Sequence, residues 1–432
     1  MIVPRHVLGG AGQTPPSERL NLAGIGAGGN RCRQNLKHFV DRKQNVVALA
    51  DPWDYAEWQG PAKEFREKYY PQAKIYRDYR ELFDKEQGLD GVVVVTPDHW
   101  HAKISADALR RGIPTYTEKP LTRTISEARI LKQIARETGL VTQMGNNGHA
   151  GDWIRRVCEY VWGGMLGSVT EVHAWTDRAG NYWRQGITRP GDTPAVPSSL
   201  DWDLWLGPAQ HRPYHQAYTH KKWRGWVDFG AGALGDMGCH ILDPVFWAMK
   251  LGHPTRVEAT TTIHPQEARD ETFPTAAIIT YRYPVREDMP PLRVHFYTGG
   301  LRAPRSEVIP ASYSLPTNGA IFVGSKGVML SEFGQQPVLF PESLALENPT
   351  PQQVIPRGPD HWTEWMDAVK HGDRSCGSNF DYAADLTEMV LLGTIAARVA
   401  EPLEWDGEAM RFTNHDAANA MVHHQYRDGW NL

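Results

Sequence analysis

The chain has 432 residues, 22% of them charged, and a formal net charge of -4. That length holds two domains with sizeable cores, and charges mixed along the chain, with no basic stripe, argue against a nucleic-acid partner. No apolar run is long enough to span a bilayer, and Cys32, Cys158, Cys239 and Cys376 lie too far apart for a zinc knuckle or a disulfide framework.

Residues 1–19 carry Pro and Gly without periodicity and read as an extended arm. No charged segment followed by an apolar one occurs there, so no export signal is expected within the chain as given. A short buried strand, "LNLAGI" (20–25), then runs into the glycine turn "GIGAGGNR" (24–31). Two registers compete. Gly24-x-Gly26-x-x-Gly29 fits the letters of a dinucleotide-binding turn, whereas Gly26 and Gly28 fit its position directly behind the strand. In the second register Gly24 lies inside the strand, and Arg31 takes the place where close helix–strand packing wants no side chain. Gly26, Gly28, Gly29, Asn30 and Arg31 are the candidate pyrophosphate contacts. The next strand, "NVVALAD", ends at Asp51, which is placed to accept ribose hydroxyls. Its charge would repel a 2′-phosphate, favouring NAD over NADP; the competing reading is a turn residue before Pro52.

Short helices are expected over 61–69 and 78–86. "DGVVVVTPDHWH" (90–101) opens as a strand buried on both faces. Thr96, Pro97, His99 and His101 follow at its carboxyl end, where open α/β sheets bind ligands; a loop that merely bears aromatics is the alternative. A helix from about 103 to 111, the strand "IPTYTEKP", a helix near 125–138 and the strand "LVTQMGN" complete the alternation. Over 20–148 this pattern predicts a Rossmann domain with a doubly wound parallel sheet.

From residue 149 onward the pattern changes. "DWIRRVCEYVWGGM" has helical spacing and stops at a Gly-Gly pair. Strand-like alternation recurs in "SVTEVHAWT", "TRVEATTTIH", "TAAIITYRYP", "LRVHFYTGG" and "GAIFVGSKGVMLSEF". Residues 149–432 therefore read as a C-terminal α+β domain with a large open, mostly antiparallel sheet. The Pro-, Gly- and Trp-rich stretch from about 178 to 235 has little periodicity, and a loop that long is functional or disordered. "HWTEWMDAVKHG", "DYAADLTEMVLLGTIAARVA" and "DAANAMVHHQYRDGW" close the chain as helices.

"TPDHWH" (Thr96 to His101), "EKPLT" (Glu118 to Thr122) and "GDMGCHILDPVFW" (Gly235 to Trp247) occur in that order. Together with the glycine turn they resemble the Gfo/Idh/MocA family of NAD(P)-dependent sugar and polyol oxidoreductases. The resemblance runs from about Leu20 to the closing "YRDGW". It implies NAD as cofactor, a small carbohydrate as substrate, and a homodimer or homotetramer assembled through the open sheet, whose free face needs cover. It also implies roles. Lys119, Asp236 and His240 match the family's catalytic set, and Glu118 would contact the nicotinamide ribose. Pro120 would bend the chain, a cis peptide bond being one way to do so. "IVPRHVLGG" is similar to the segment that follows a twin-arginine export signal in a bacterial branch of the family, which implies a periplasmic or exported protein; a cytoplasmic one is the alternative. Arg31 departs from the family's glycine or alanine, and either points toward the diphosphate or lies against the surface.

The chemistry is coherent. Asp236 and His240 are four apart and share a helix face. A hydroxyl that loses hydride must also lose a proton, and His240 is the expected acceptor, with Asp236 orienting the substrate or the imidazole and favouring its charged form. The Lys119 ammonium would stabilise charge on the reacting oxygen. Asp243, one turn beyond His240, either joins the pocket or caps the next segment. Trp183, Arg184, Trp223, Arg224 and Trp226 are the expected walls of a sugar pocket, with core packing as the competing reading for each Trp. His211, His215 and His220 are loosely spaced, interrupted by Pro213 and without a nearby cysteine or carboxylate cluster, so no metal site is expected. The leading expectation is an NAD-dependent dehydrogenase or reductase acting on a secondary hydroxyl or ketone. The alternatives are a glycoside hydrolase that oxidises transiently with no net redox change, and a non-catalytic NAD sensor.

Overall fold

The computed structural model describes residues 15, 18–54, 61–347 and 350–432. Most of the expected arm, including "IVPRHVLGG", lies outside the described residues. Six short strands, β1 (Asn21–Ile25), β2 (Asn45–Ala50), β3 (Lys74–Tyr76), β4 (Gly91–Val94), β5 (Thr115–Thr117) and β6 (Thr142–Met144), form one sheet in the order β3-β2-β1-β4-β5-β6. Every pair in it is parallel. This is the doubly wound sheet that the alternation predicts. Strand order reverses between β1 and β4, which opens a crevice at their carboxyl ends. Val92, Val93 and Val94 of β4 are wholly buried, as expected of a strand covered on both faces. The strand "KIY" escapes sequence reading because three residues are too few to show a period.

One boundary matters for the site. The helix after β4 runs Asp98–Arg110, starting five residues before the expected position. His99, Trp100 and His101 therefore sit in its first turns and not in a loop.

The second sheet has nine strands: β7 (Val169–Trp175), β8 (Arg256–Thr261), β9 (Ala277–Tyr283), β10 (Leu292–Tyr297), β11 (Gly319–Gly324), β12 (Val328–Glu332), β13 (Val338–Phe340), β14 (Leu403–Asp406) and β15 (Arg411–Phe412). Their order is β13-β12-β11-β7-β10-β9-β8-β14-β15. Only β7 and β10 pair in parallel. One face packs on the helix Phe380–Val399, and Val172, Ile279, Tyr281, Val294 and Phe296 join Leu386, Val390 and Ile395 in a shared core. Leu121, Ile125 and Leu131 of the first domain belong to the same core, so the two sheets are locked together. On the opposite face Ala303 and Ile309 cover Trp175, Ile321, Val328 and Leu330, and the strands beyond carry polar residues. Of the closing stretch only Asp416–Ala420 is helical.

The stretch 178–235 is folded. It holds the helix Trp202–Leu206 and a 3-10 turn, His220–Gly225, around a cluster of Trp202, Trp205, Tyr218, Trp226 and Phe229. Aromatic packing at irregular spacing leaves no period to read. Among the described residues no helix is long and apolar enough to cross a membrane.

Candidate active site

The carboxyl ends of β1, β2, β4 and β5 open onto one cleft of ≈ 840 Å³, large for a small-molecule site. At one end lies the glycine turn. Gly26 follows β1 with φ +83°, and a Cβ there would sit 2.4 Å from the Val95 carbonyl oxygen; only glycine fits. The Gly28 N–H donates to Asp51 Oδ2 at 2.8 Å and the Trp53 N–H to Oδ1 at 3.0 Å. Gly28, Gly29, Asn30 and Arg31 line the cleft where the helix Asn30–Asp41 begins, and a helix N-terminus presents unpaired N–H groups to a phosphate. Gly24 lies within β1, where a Cβ would come 2.8 Å from Leu36 of that helix. Close helix–strand packing is thus served by Gly24, and the turn proper is Gly26–Gly28.

Arg31 lines the cleft beside the turn, and an ion pair holds its side chain. Its Nε donates to Glu118 Oε1 at 2.9 Å, beside Asn35 Nδ2 at 2.8 Å. The residue in the third-glycine position ties the turn to the end of β5. Burial works to raise the Glu118 pKa, but Arg31, Lys119 and Asn35 outweigh it and bring it to about 2. Burial pushes Asp51 up to about 6, with its two N–H bonds opposing.

Thr96, Pro97 and His101 line the cleft, and Thr96 Oγ1 is buried without a partner. His101 bridges two strand ends, with Nδ1 2.8 Å from Pro120 O and Nε2 3.0 Å from Thr96 O. His99 does not reach the cleft. Its ring is buried between the carbonyls of Phe229 and Trp205, because the early helix start turns it toward the aromatic cluster.

At the other end, Lys119 Nζ donates to the Asp236 carbonyl oxygen at 2.7 Å and to its Oδ1 at 2.8 Å. The Lys119–Pro120 peptide is cis. Arg224 Nε lies 3.1 Å from the same Oδ1, and Arg178 Nε lies 3.7 Å from Oδ2. Burial disfavours the Asp236 charge, but Lys119 and Arg224 hold its pKa well below the usual carboxylate range. The helix Gly232–Ile241 carries Asp236 and His240 together. Lys119 and Arg224 form the cleft wall, and Asp236 and His240 are not on it. The His240 ring meets Phe333 edge-on at 5.2 Å, and its Nδ1 is buried without a partner. Asp236 does favour an imidazolium, as expected, but it is outweighed. Burial first and Lys119 second lower the His240 pKa to about 3, and Asp236 opposes them without prevailing.

Asp98, between Pro97 and His99, is a cleft residue that sequence reading passes over. It lines the cleft and accepts the Ala231 N–H on Oδ2 at 3.0 Å. Burial raises its pKa to about 7 against the pull of Arg224 and Lys119. Its only sequence signal is its place at a helix start behind a buried strand.

Of the expected pocket walls, Trp223 and Arg224 line the cleft, with the guanidinium 4.2 Å over the Trp223 ring. Trp205, His220 and Lys221 line it too, and sequence reading does not place them there. Trp226 is core: its indole N–H donates to Ala217 O at 2.8 Å and its ring packs on Tyr218. Trp183 is buried with its N–H on Gln185 Oε1. Arg184 is exposed, away from the cleft wall. Asp243 is buried off the cleft, held by His149, Asn146 and the Tyr382 hydroxyl. Packing decides each of these cases. The four cysteines are buried and unpaired. Among the described residues, the grouping with metal-ligand spacing is Glu171, His173 and His295, none of which stands out in the sequence.

Residues 20–146 match the family profile described as the oxidoreductase family's NAD-binding Rossmann fold (Gfo/Idh/MocA), and residues 151–286 with 317–432 match that family's C-terminal alpha/beta domain. An uncharacterized oxidoreductase of Schizosaccharomyces pombe is 24% identical over 242 residues, 54% of this chain and 55% of that protein. The levoglucosan dehydrogenase of Pseudarthrobacter phenanthrenivorans is 24% identical over 166 residues, 38% of this chain and 34% of that protein. These alignments thus span about half or less of the relatives' length. Among solved structures, an inositol dehydrogenase homologue from Azotobacter vinelandii complexed with NADH and myo-inositol superposes with a TM-score of 0.54 at 17% identity, covering 90% of this chain and 98% of its own. At that identity the likeness establishes the fold.

Proposed function

We propose that this chain, which belongs to the Gfo/Idh/MocA oxidoreductase family, is an NAD-dependent oxidoreductase that moves hydride between NAD and a secondary hydroxyl or ketone of a sugar, glycoside or polyol. The observation that carries this reading is the Lys119 ammonium on the cleft wall, bonded to Asp236 of the helix that also bears His240. The glycine cradle, the helix N-terminus behind it and the unpartnered Thr96 hydroxyl suit a dinucleotide. Bound there, NAD supplies the hydride acceptor or donor. Gly26, Gly28 and the start of Asn30–Asp41 would hold its pyrophosphate. Asp51 would accept from the adenosine ribose and disfavour a 2′-phosphate.

Lys119 donates to the reacting oxygen and stabilises its developing charge. Asp236, clamped by Lys119 and Arg224, positions that ammonium. His240, neutral and with a free Nδ1 lone pair when the proton is on Nε2, is the proposed acceptor of the hydroxyl proton in oxidation and its donor in reduction, although its ring lies behind the cleft wall. Trp223, Trp205 and Arg224 contact the sugar ring. The polyol and sugar classes named for the A. vinelandii and Pseudarthrobacter proteins support this substrate class.

One observation favours a second assignment of the proton acceptor. Asp98 is on the cleft wall with a pKa of about 7, and a base tuned near the working pH is the more effective. Purified protein given NAD and a panel of sugars and polyols should accumulate NADH with at least one of them. Sugar release with no net NADH would instead mark hydrolysis. Asp98→Asn should leave the acid limb of the rate profile in place if His240 takes the proton, and abolish it if Asp98 does.

A further inference from the structure

The face of the nine-stranded sheet turned away from the helix Phe380–Val399 carries a second group of reactive side chains. β7 and β10 run parallel with His173 opposite His295. Glu171 precedes His173 by two residues, so the pleat sends both to one face. The Nε2 atoms of His295 and His173 lie 2.9 Å and 3.4 Å from one oxygen, Glu171 Oε1. The two imidazoles stack, with centroids 4.9 Å apart and planes 14° apart. The far nitrogen of each ring is anchored as well. His173 Nδ1 lies 2.9 Å from the Tyr297 hydroxyl, and His295 Nδ1 lies 2.9 Å from Thr280 Oγ1.

We propose that Glu171, His173 and His295 form a binding site for a divalent transition-metal ion, zinc foremost, with both Nε2 atoms and Glu171 Oε1 as ligands. Two imidazoles and a carboxylate are a donor set that zinc favours. Zinc bonds of about 2.0–2.2 Å in a tetrahedron place ligand atoms about 3.3–3.6 Å apart; the three atoms here already lie within 4.8 Å of one another. Hydroxyl partners on both Nδ1 atoms fix ring orientation, as outer-shell groups do around bound metals. Glu171 Oε2 is occupied by Arg293 Nη2 at 3.3 Å, so the carboxylate binds through one oxygen, and the nearby guanidinium moderates the affinity. The side chains are 15–26% exposed. None of the three lines the cleft, so this site stands apart from the oxidoreductase centre.

The test uses the full chain, stripped with a chelator and dialysed against Zn²⁺ at micromolar free concentration, with bound metal counted by mass spectrometry. One zinc per chain is expected, and Co²⁺ in its place should give the intense visible bands of tetrahedral coordination. His295→Gln and His173→Gln should each abolish stoichiometric binding while leaving oxidoreductase activity and the metal-free melting temperature unchanged. If one variant melts early, the other carries the test. Thr280→Val, which removes only an anchoring hydroxyl, should weaken zinc binding about 10-fold or more. Absence of stoichiometric zinc, its retention by both histidine variants, or unchanged affinity in Thr280→Val overturns the proposal.

Discussion

The two sheets of this protein display polar groups in different places. The six-stranded parallel sheet is covered on both faces, and apart from the exposed Lys74 of β3 its strands carry no charged residue, the buried polar groups within being the neutral Thr115, Thr117, Thr142 and Gln143. Its polar groups emerge at strand ends, at Gly26, Asp51, Thr96 and Lys119, where the backbone leaves the ladder. The nine-stranded sheet covers one face with a helix and only part of the other, so Glu171, Thr280 and His295 stand in mid-strand. The lesson is energetic. A charge inside a doubly covered sheet loses hydration without a partner, so chemistry is confined to the rim, whereas a half-open sheet can hold it on its surface.

The contrast makes graded predictions. Loss of a catalytic group at or behind that rim should cripple turnover: His240→Gln, on the helix behind it, should lower kcat by about 10²–10⁴-fold and Lys119→Ala, at the rim itself, kcat/KM by about 10²–10³-fold, both read by NADH formation. Equal damage from a mid-strand change on the open face would erase the distinction. Gly26→Ala must adopt a left-handed φ against the Val95 carbonyl, and should lose about 1–3 kcal/mol in urea unfolding together with NAD binding. Asp51 then gives a pH signature. Its folded-state pKa is raised to about 6, so ionising it disfavours the cofactor-free fold as pH rises through 6. The ionised carboxylate is the ribose acceptor, so the Kd for NAD should be flat above about pH 6 and rise toward tenfold per unit below it. Asp51→Asn should remove that slope in calorimetric titration. At the small end, Thr260→Ala on the exposed part of β8 should shift stability by no more than about 0.5 kcal/mol and leave activity alone.

Much of this arrangement is legible in the sequence. Valine runs, glycine turns and helical spacings are local signals, and they locate nearly every element of the Rossmann sheet, missing only a three-residue strand. The C-terminal strands are legible by alternation, whereas β13, β14 and β15 are too short to show it. Around the cleft, reading is least successful where neighbours distant in sequence decide the outcome. Trp223 and Trp226 are three residues apart and look alike in sequence. One lines the cleft and the other is core, because Ala217 and Tyr218 fold back over Trp226.

Composition and local pattern, with the motifs around Lys119, Asp236 and His240, determined the fold class, the cofactor and the family. Each rests on residues close together along the chain, where backbone geometry alone sets which side chains share a strand, a turn or a helix face. Tertiary structure alone decided that Arg31 pairs with Glu118, 87 residues away, that burial lowers the His240 pKa and raises that of Asp98, and that two histidines and a glutamate meet on an open sheet face. Ion pairs, desolvation and cross-strand neighbours are set by where the folded chain brings distant groups together, and the order of the letters does not carry that distance.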